Sequence, residues 1–256
     1  MIVEPKREIL LGPLMRAGLQ RSWAAHDHFL RLAIVPLAVM LTIAVPLEQA
    51  MLDAMAASRP NEVPEGMPLI ALLAVGYVAA LNVFAVNWLR QLTLGEKAAP
   101  GVGLSLGLRH LRFFFLIMAT WLGTGMLAGI LMLAFAGFGM PGLMAAVLAG
   151  LLIWAALTVR ISPSWIGIAL DVPMSLRVAW QRTAGQGFKL LLALLAVEMP
   201  LIMVQHLVDA LFGVTGLAAA APMTYTLVTA AIQLVGLAVQ LAILVTAFPH
   251  FLRETV

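Results

Sequence analysis

Six runs of about twenty apolar residues, each bounded by polar or turn-forming residues, fix what this chain can fold into. Such a run is just long enough to cross the hydrocarbon core of a bilayer as an α-helix. The runs fall near 31–52, 68–89, 113–136, 141–159, 189–212 and 224–248. Composition leaves little alternative: 62% of the residues are hydrophobic, 11% are charged, and the mean hydropathy is +1.02. A water-soluble domain of 256 residues cannot bury that much apolar surface in one core. The expected fold is therefore all-α: a single polytopic membrane domain over 1–256, with about six spans and amphipathic helices at the membrane surface. Pro36 and Pro46 are expected to kink the first span. Gly137 to Gly142 leave room only for a tight turn between the third and fourth. Gly125, Gly129, Ala145, Ala149 and Gly150 are small residues expected to let those two helices approach closely. A cleaved signal peptide is not expected, because the first apolar run starts about thirty residues in and five more follow.

Basic residues set the expected orientation. Fourteen of the 15 Lys and Arg fall before the first span, between the second and third, between the fourth and fifth, or after the sixth. Only Arg59 lies on the other side, in a loop carrying Asp53, Glu62 and Glu65. The positive-inside rule then puts both termini in the cytoplasm. Trp23, Trp88, Trp165 and Trp180 fall at the same basic interface, where they are expected to act as anchors.

The three basic segments resemble one another. Each reads as a short amphipathic helix, a polar break and an aromatic start to the next span, with Phe29, Phe113 and Phe188 spaced 84 and 75 residues apart. Three repeats of an interfacial helix plus two spans is one reading; any basic loop between spans looking interfacial is the other. Either way Arg16, Arg21, Arg109, Arg112, Arg177 and Arg182 form a basic collar that suits acidic lipid headgroups or a partner protein, not nucleic acid.

Inside the membrane the polar residues concentrate in the last two spans. Glu198, Gln205 and Asp209 share one helical face, with His206 beside them, and Thr226, Thr229, Gln233 and Gln240 form a matching stripe. Facing stripes would join the helices by hydrogen bonds. The sharper reading is a proton- or cation-responsive site built from Glu198, Gln233 and Asn82. The plainer one, which is favoured, is a carboxyl that hydrogen-bonds one helix to another.

Familiar chemical motifs do not survive inspection. Gly103-Leu104-Ser105-Leu106-Gly107 with His110 matches a nucleophile elbow in letters, but that device needs a strand and a sheet. Gly101-Val102-Gly103 lacks the third glycine and the βαβ context of a dinucleotide loop. His26 and His28, two residues apart, do not share a helix face. No cofactor and no metal site is expected, and the absence of cysteine excludes thiol chemistry.

One stretch carries a family likeness. Arg160, Pro163, Ala169-Leu170-Asp171, Ser175 to Thr183 and Gly185-Gln186-Gly187-Phe188-Lys189 resemble the connection in six-helix bacterial inner-membrane proteins. These are the families grouped with the glycerophosphoryl diester phosphodiesterase membrane domain and the YciC-like proteins. The resemblance implies a bacterial inner-membrane location and this architecture; it brings no catalytic residues. The leading expectation is a non-catalytic membrane protein whose collar binds lipid or a partner. The alternative is a transport permease, proton-linked through Glu198 or docked to an ATPase through residues 160–187. A lipid-acting enzyme ranks last.

Overall fold

The computed structural model describes residues 9–57, 66–95, 107–172 and 174–252. Among them every regular element is helical: α1 (Leu11–Ala24), α2 (His26–Ala57), α3 (Met67–Leu94), α4 (Leu108–Phe135), α5 (Gly139–Ala169), α6 (Leu176–Arg182), α7 (Gly187–Val214), α8 (Leu217–Ala220) and α9 (Pro222–Leu252). Five continuous helical stretches are long and apolar enough to cross a membrane, with mean hydropathies of 2.0 to 2.4. The protein itself buries only 11% of the α7 window and 50% of the α9 window. The remaining apolar surface has to be covered by lipid.

One of the five stretches, Leu108–Ala169, runs for 62 residues, which as a straight helix would be about 90 Å long. It does not run straight. A 3-10 turn at Ala136–Phe138 separates α4 from α5, and Gly139 follows it at φ +66°, a left-handed conformation that glycine adopts without a Cβ clash. The two helices then pack along one another, as α2 and α3 do. A Cβ on Gly142 would lie 2.4 Å from the Phe135 carbonyl oxygen, so the turn closes only around a glycine.

The small-residue expectation for this hairpin needs correction. Gly150 does meet α4: its Cβ would touch that of Ala128 at 3.2 Å. A Cβ on Gly125 or Gly129 would meet nothing within 4 Å. The contact with Gly150 is made by Ala128, from which Gly129 points about 100° away. In α2 the helix continues through both Pro36 and Pro46.

The contacts divide the chain into two compact units. The first comprises the described residues of Met1–Arg21, Gly107–Leu195 and Ala242–Val256; the second comprises those of Ser22–Leu106 and Ala196–Leu241. In the first, Gly18 brings α1 onto the end of α9, where a Cβ would fall 2.7 Å from Ile243 Cγ1. In the second, the core is aromatic. Phe84 and Trp88 stack at 6.0 Å on α3, and Phe29 of α2 meets both edge-on. Trp88 is 1% exposed, and its indole N–H donates to the Ala238 carbonyl at 2.9 Å. It is a core residue, not the interfacial anchor its position suggested. Trp23 and Trp180 are exposed, at 76% and 45%.

The surface helices differ in how they stop. The first basic segment forms α1, which breaks at Ala25 before α2 begins. The third forms α6. Residues 104–106 of the second lie outside the described residues, and from Leu108 it runs without a break into α4.

Candidate functional sites

Two groups of polar side chains stand out, one in each unit. In the second unit they lie on the long apolar helices. α7 presents Glu198, Gln205 and Asp209, and α9 presents Tyr225, Gln233 and Gln240. Gln240 donates its amide N–H to the Glu198 carboxyl. The Asp209 carboxyl accepts from the Gln205 amide at 2.8 Å and from the Tyr225 hydroxyl at 3.0 Å, with His206 Nδ1 at 3.8 Å. Tyr77 of α3 donates to the Gln233 side-chain oxygen. Three side-chain bonds therefore tie α7 or α3 to α9.

The pairing differs in register from the site expected around Glu198. Gln233 is engaged by Tyr77 rather than by Glu198, which is held two turns further along by Gln240. Asn82 is 4% exposed, and neither of its amide atoms has a hydrogen-bond partner among the described residues. The two tyrosines were not singled out from the sequence. They are the only two in the chain, both inside apolar runs, and a phenol there needs an acceptor.

In the first unit the group is basic and surrounds α6. α5 ends in a tight turn in which Val172 N–H bonds the Gly167 carbonyl at 2.8 Å and Asp171 N–H bonds that of Ile168 at 3.3 Å. Asp171 is left-handed at φ 59°, and its carboxylate pairs with Arg109 at 2.9 Å. Ser175 caps α6 by accepting from Val178 N–H at 3.3 Å. The Arg160 guanidinium lies over the Trp180 ring at 5.1 Å and donates to the Trp180 carbonyl at 3.2 Å. Thr183, fully buried, sets its hydroxyl 2.9 Å from the Ala179 carbonyl. Arg182 donates to the Phe251 carbonyl at 2.6 Å, near the C-terminal end of α9, where a cation complements the helix dipole.

The six collar arginines are thus not equivalent. Arg109 and Arg182 make contacts within the protein. Arg21 is half-buried, and the loss of water around it lowers its pKa from the ordinary guanidinium value. Arg16, Arg112 and Arg177 are exposed.

The remaining motif residues take local roles. The His110 ring accepts from Gly107 N–H at 3.1 Å and so caps the start of α4. Gly101-Val102-Gly103 and Ser105 lie outside the described residues. His26 stacks on Trp23 at 5.4 Å, sets Nδ1 2.8 Å from the Trp23 carbonyl and approaches Asp27 at 2.9 Å.

Helices of this length and apolarity, with most of their apolar surface unburied by protein, define a multi-pass helical membrane protein. No family model, no curated protein and no solved structure matches the chain.

Proposed function

We propose that this chain is a six-span protein of the bacterial inner membrane, with both termini in the cytoplasm, that acts by binding rather than by catalysis. Its basic side holds acidic lipid headgroups or a partner protein. The observation that carries this reading is the division of charge. Among the described residues, all ten Lys and Arg lie on α1, on α6 or toward the α1- or α6-side ends of the long helices along the chain, and none falls in the connections from α2 to α3, α4 to α5 or α7 to α9. Counting α4 and α5 as separate spans supports six crossings, and α1 and α6 support a repeated interfacial helix. The likeness of residues 160–191 to YciC-like inner-membrane proteins points to the same location.

Native mass spectrometry in mild detergent tests the function. Acidic lipid or a stoichiometric subunit should be retained, and lost when Arg16, Arg112 and Arg177 are all changed to Glu. Equal retention by that variant would sink the reading. Orientation has a separate check, helped by the absence of native cysteine. In intact spheroplasts an impermeant maleimide should label Asp53→Cys and leave Arg177→Cys unlabelled.

A second reading, a proton-linked permease, draws on the carboxyl that Glu198 places at span depth against Gln240. Glu198→Gln separates the two. A hydrogen-bonding carboxyl tolerates the amide with a stability change below about 1 kcal/mol. A proton-carrying one loses the pH dependence of flux in proteoliposomes.

A further inference from the structure

We propose that α6 is a lipid-docking helix that binds the phosphate of an anionic phospholipid through Arg177, with Leu176 and Trp180 entering the acyl boundary beside it. The inference rests on the headgroup-binding reading and commits it to one element and one occupant.

Depth comes first. α5 stops at Ala169 and α7 starts at Gly187, both among stretches apolar enough to span a membrane. The six residues before α6 and the four after it are too few to carry a seven-residue helix far from the membrane surface. α6 is also two-sided. Ala179 is fully buried and fixes the inner face, while Leu176 and Trp180, one turn apart, are 47% and 45% exposed. Exposed leucine and tryptophan next to a span belong at the headgroup–acyl boundary.

The frame holds these side chains in place. Arg160 clamps the indole from one side and bonds its carbonyl, Ser175 caps the first turn, and Arg182 anchors the last turn to the Phe251 carbonyl. Little ordering entropy remains to be lost on binding.

Charge complementarity selects the occupant. Arg177 is exposed on this helix, and Asp171, the single described acid in the unit, is already paired with Arg109. A soluble phosphate would gain from Arg177 but would leave Leu176 and Trp180 in water. A phospholipid satisfies all three at once.

The test uses the full chain in phosphatidylcholine nanodiscs with increasing phosphatidylglycerol, counting retained phosphatidylglycerol after transfer to mild detergent. Arg177→Gln should retain it about five-fold less tightly, the effect of one basic group near an anionic surface. Arg177→Lys should stay close to the parent, which shows that the charge and not a folding defect is being read. High salt should weaken the parent more than Arg177→Gln.

If Arg16→Gln with Arg112→Gln loses lipid while Arg177→Gln does not, the α6 assignment is wrong and the basic-side reading stands. If no variant loses lipid or a partner, both fail. If Arg177→Gln releases a copurifying protein and leaves phosphatidylglycerol unchanged, the occupant is a protein and the lipid assignment is overturned.

Discussion

Trp88→Ala is expected to destabilise the second unit by about 3–5 kcal/mol, the cost of removing a large aromatic side chain from a packed interior. The side chain is 1% exposed, stacks on Phe84, takes an edge contact from Phe29 and donates to Ala238. Between helices in lipid the hydrophobic effect contributes little, so stability comes from dispersion contacts and hydrogen bonds of this kind. Trp88→Phe refills most of the volume and gives up one hydrogen bond, so it should cost only about 1–2 kcal/mol. Reversible unfolding in mixed micelles of sodium dodecyl sulfate and mild detergent measures both. An exposed tryptophan such as Trp23 provides the contrast, since Trp23→Ala should move stability by about 0.5 kcal/mol. Should Trp88→Ala cost no more than Trp23→Ala, the aromatic cluster is not a core.

That contrast marks the boundary of what the sequence made legible. Apolar length, flanking charge and turn residues are properties of position along the chain, and from them the long helices and the reversal near Gly139 could be read. Rotation about a helix axis and register between two helices are not. Trp88 ends an apolar run and Trp180 lies in the connector between two others; both were expected at the same interface, yet one is core and the other surface. Gly125 and Gly129 had the right spacing for a contact, but a Cβ at either would meet nothing within 4 Å, and it is Ala128 that meets Gly150.

The polar stripes on α7 and α9 illustrate the same limit. Their spacing indicates which residues share a face but not which partner meets which. Glu198 pairs with Gln240 rather than Gln233, an offset of seven residues or about 10 Å along the helix. Nothing within α9 distinguishes those two glutamines; the difference comes from Tyr77 on α3, which engages Gln233. In the connector, the sequence marked Arg182 as part of a binding collar. Its bond to the Phe251 carbonyl joins residues 69 apart in the chain, beyond the reach of any local pattern.

Gly167→Ala tests the turn on which α6 depends. A Cβ at position 167 would lie 2.5 Å from the Val172 carbonyl oxygen and 3.4 Å from Met174 Cβ. The near atom is backbone and cannot rotate away, so either the turn opens or the end of α5 shifts. Overpacking of this kind costs about 1–3 kcal/mol, and alanine's better helix propensity, worth about 1 kcal/mol, offsets only part of it. Opening the turn breaks the Val172-to-Gly167 hydrogen bond and moves Asp171 away from Arg109. α6 then loses its orientation, and retention of phosphatidylglycerol should fall although residue 167 carries no charge. Asp171→Gly makes the complementary change. It removes the penalty for a side chain at φ 59° but also the partly exposed ion pair to Arg109, each worth about 1 kcal/mol with opposite sign. Its stability should stay within about 1 kcal/mol of the parent. A loss of both stability and lipid in Gly167→Ala, with neither in Asp171→Gly, would assign the turn's role to backbone geometry rather than to the ion pair across it. If Gly167→Ala is neutral in both measurements, α6 is positioned by Arg160 and Arg182 alone.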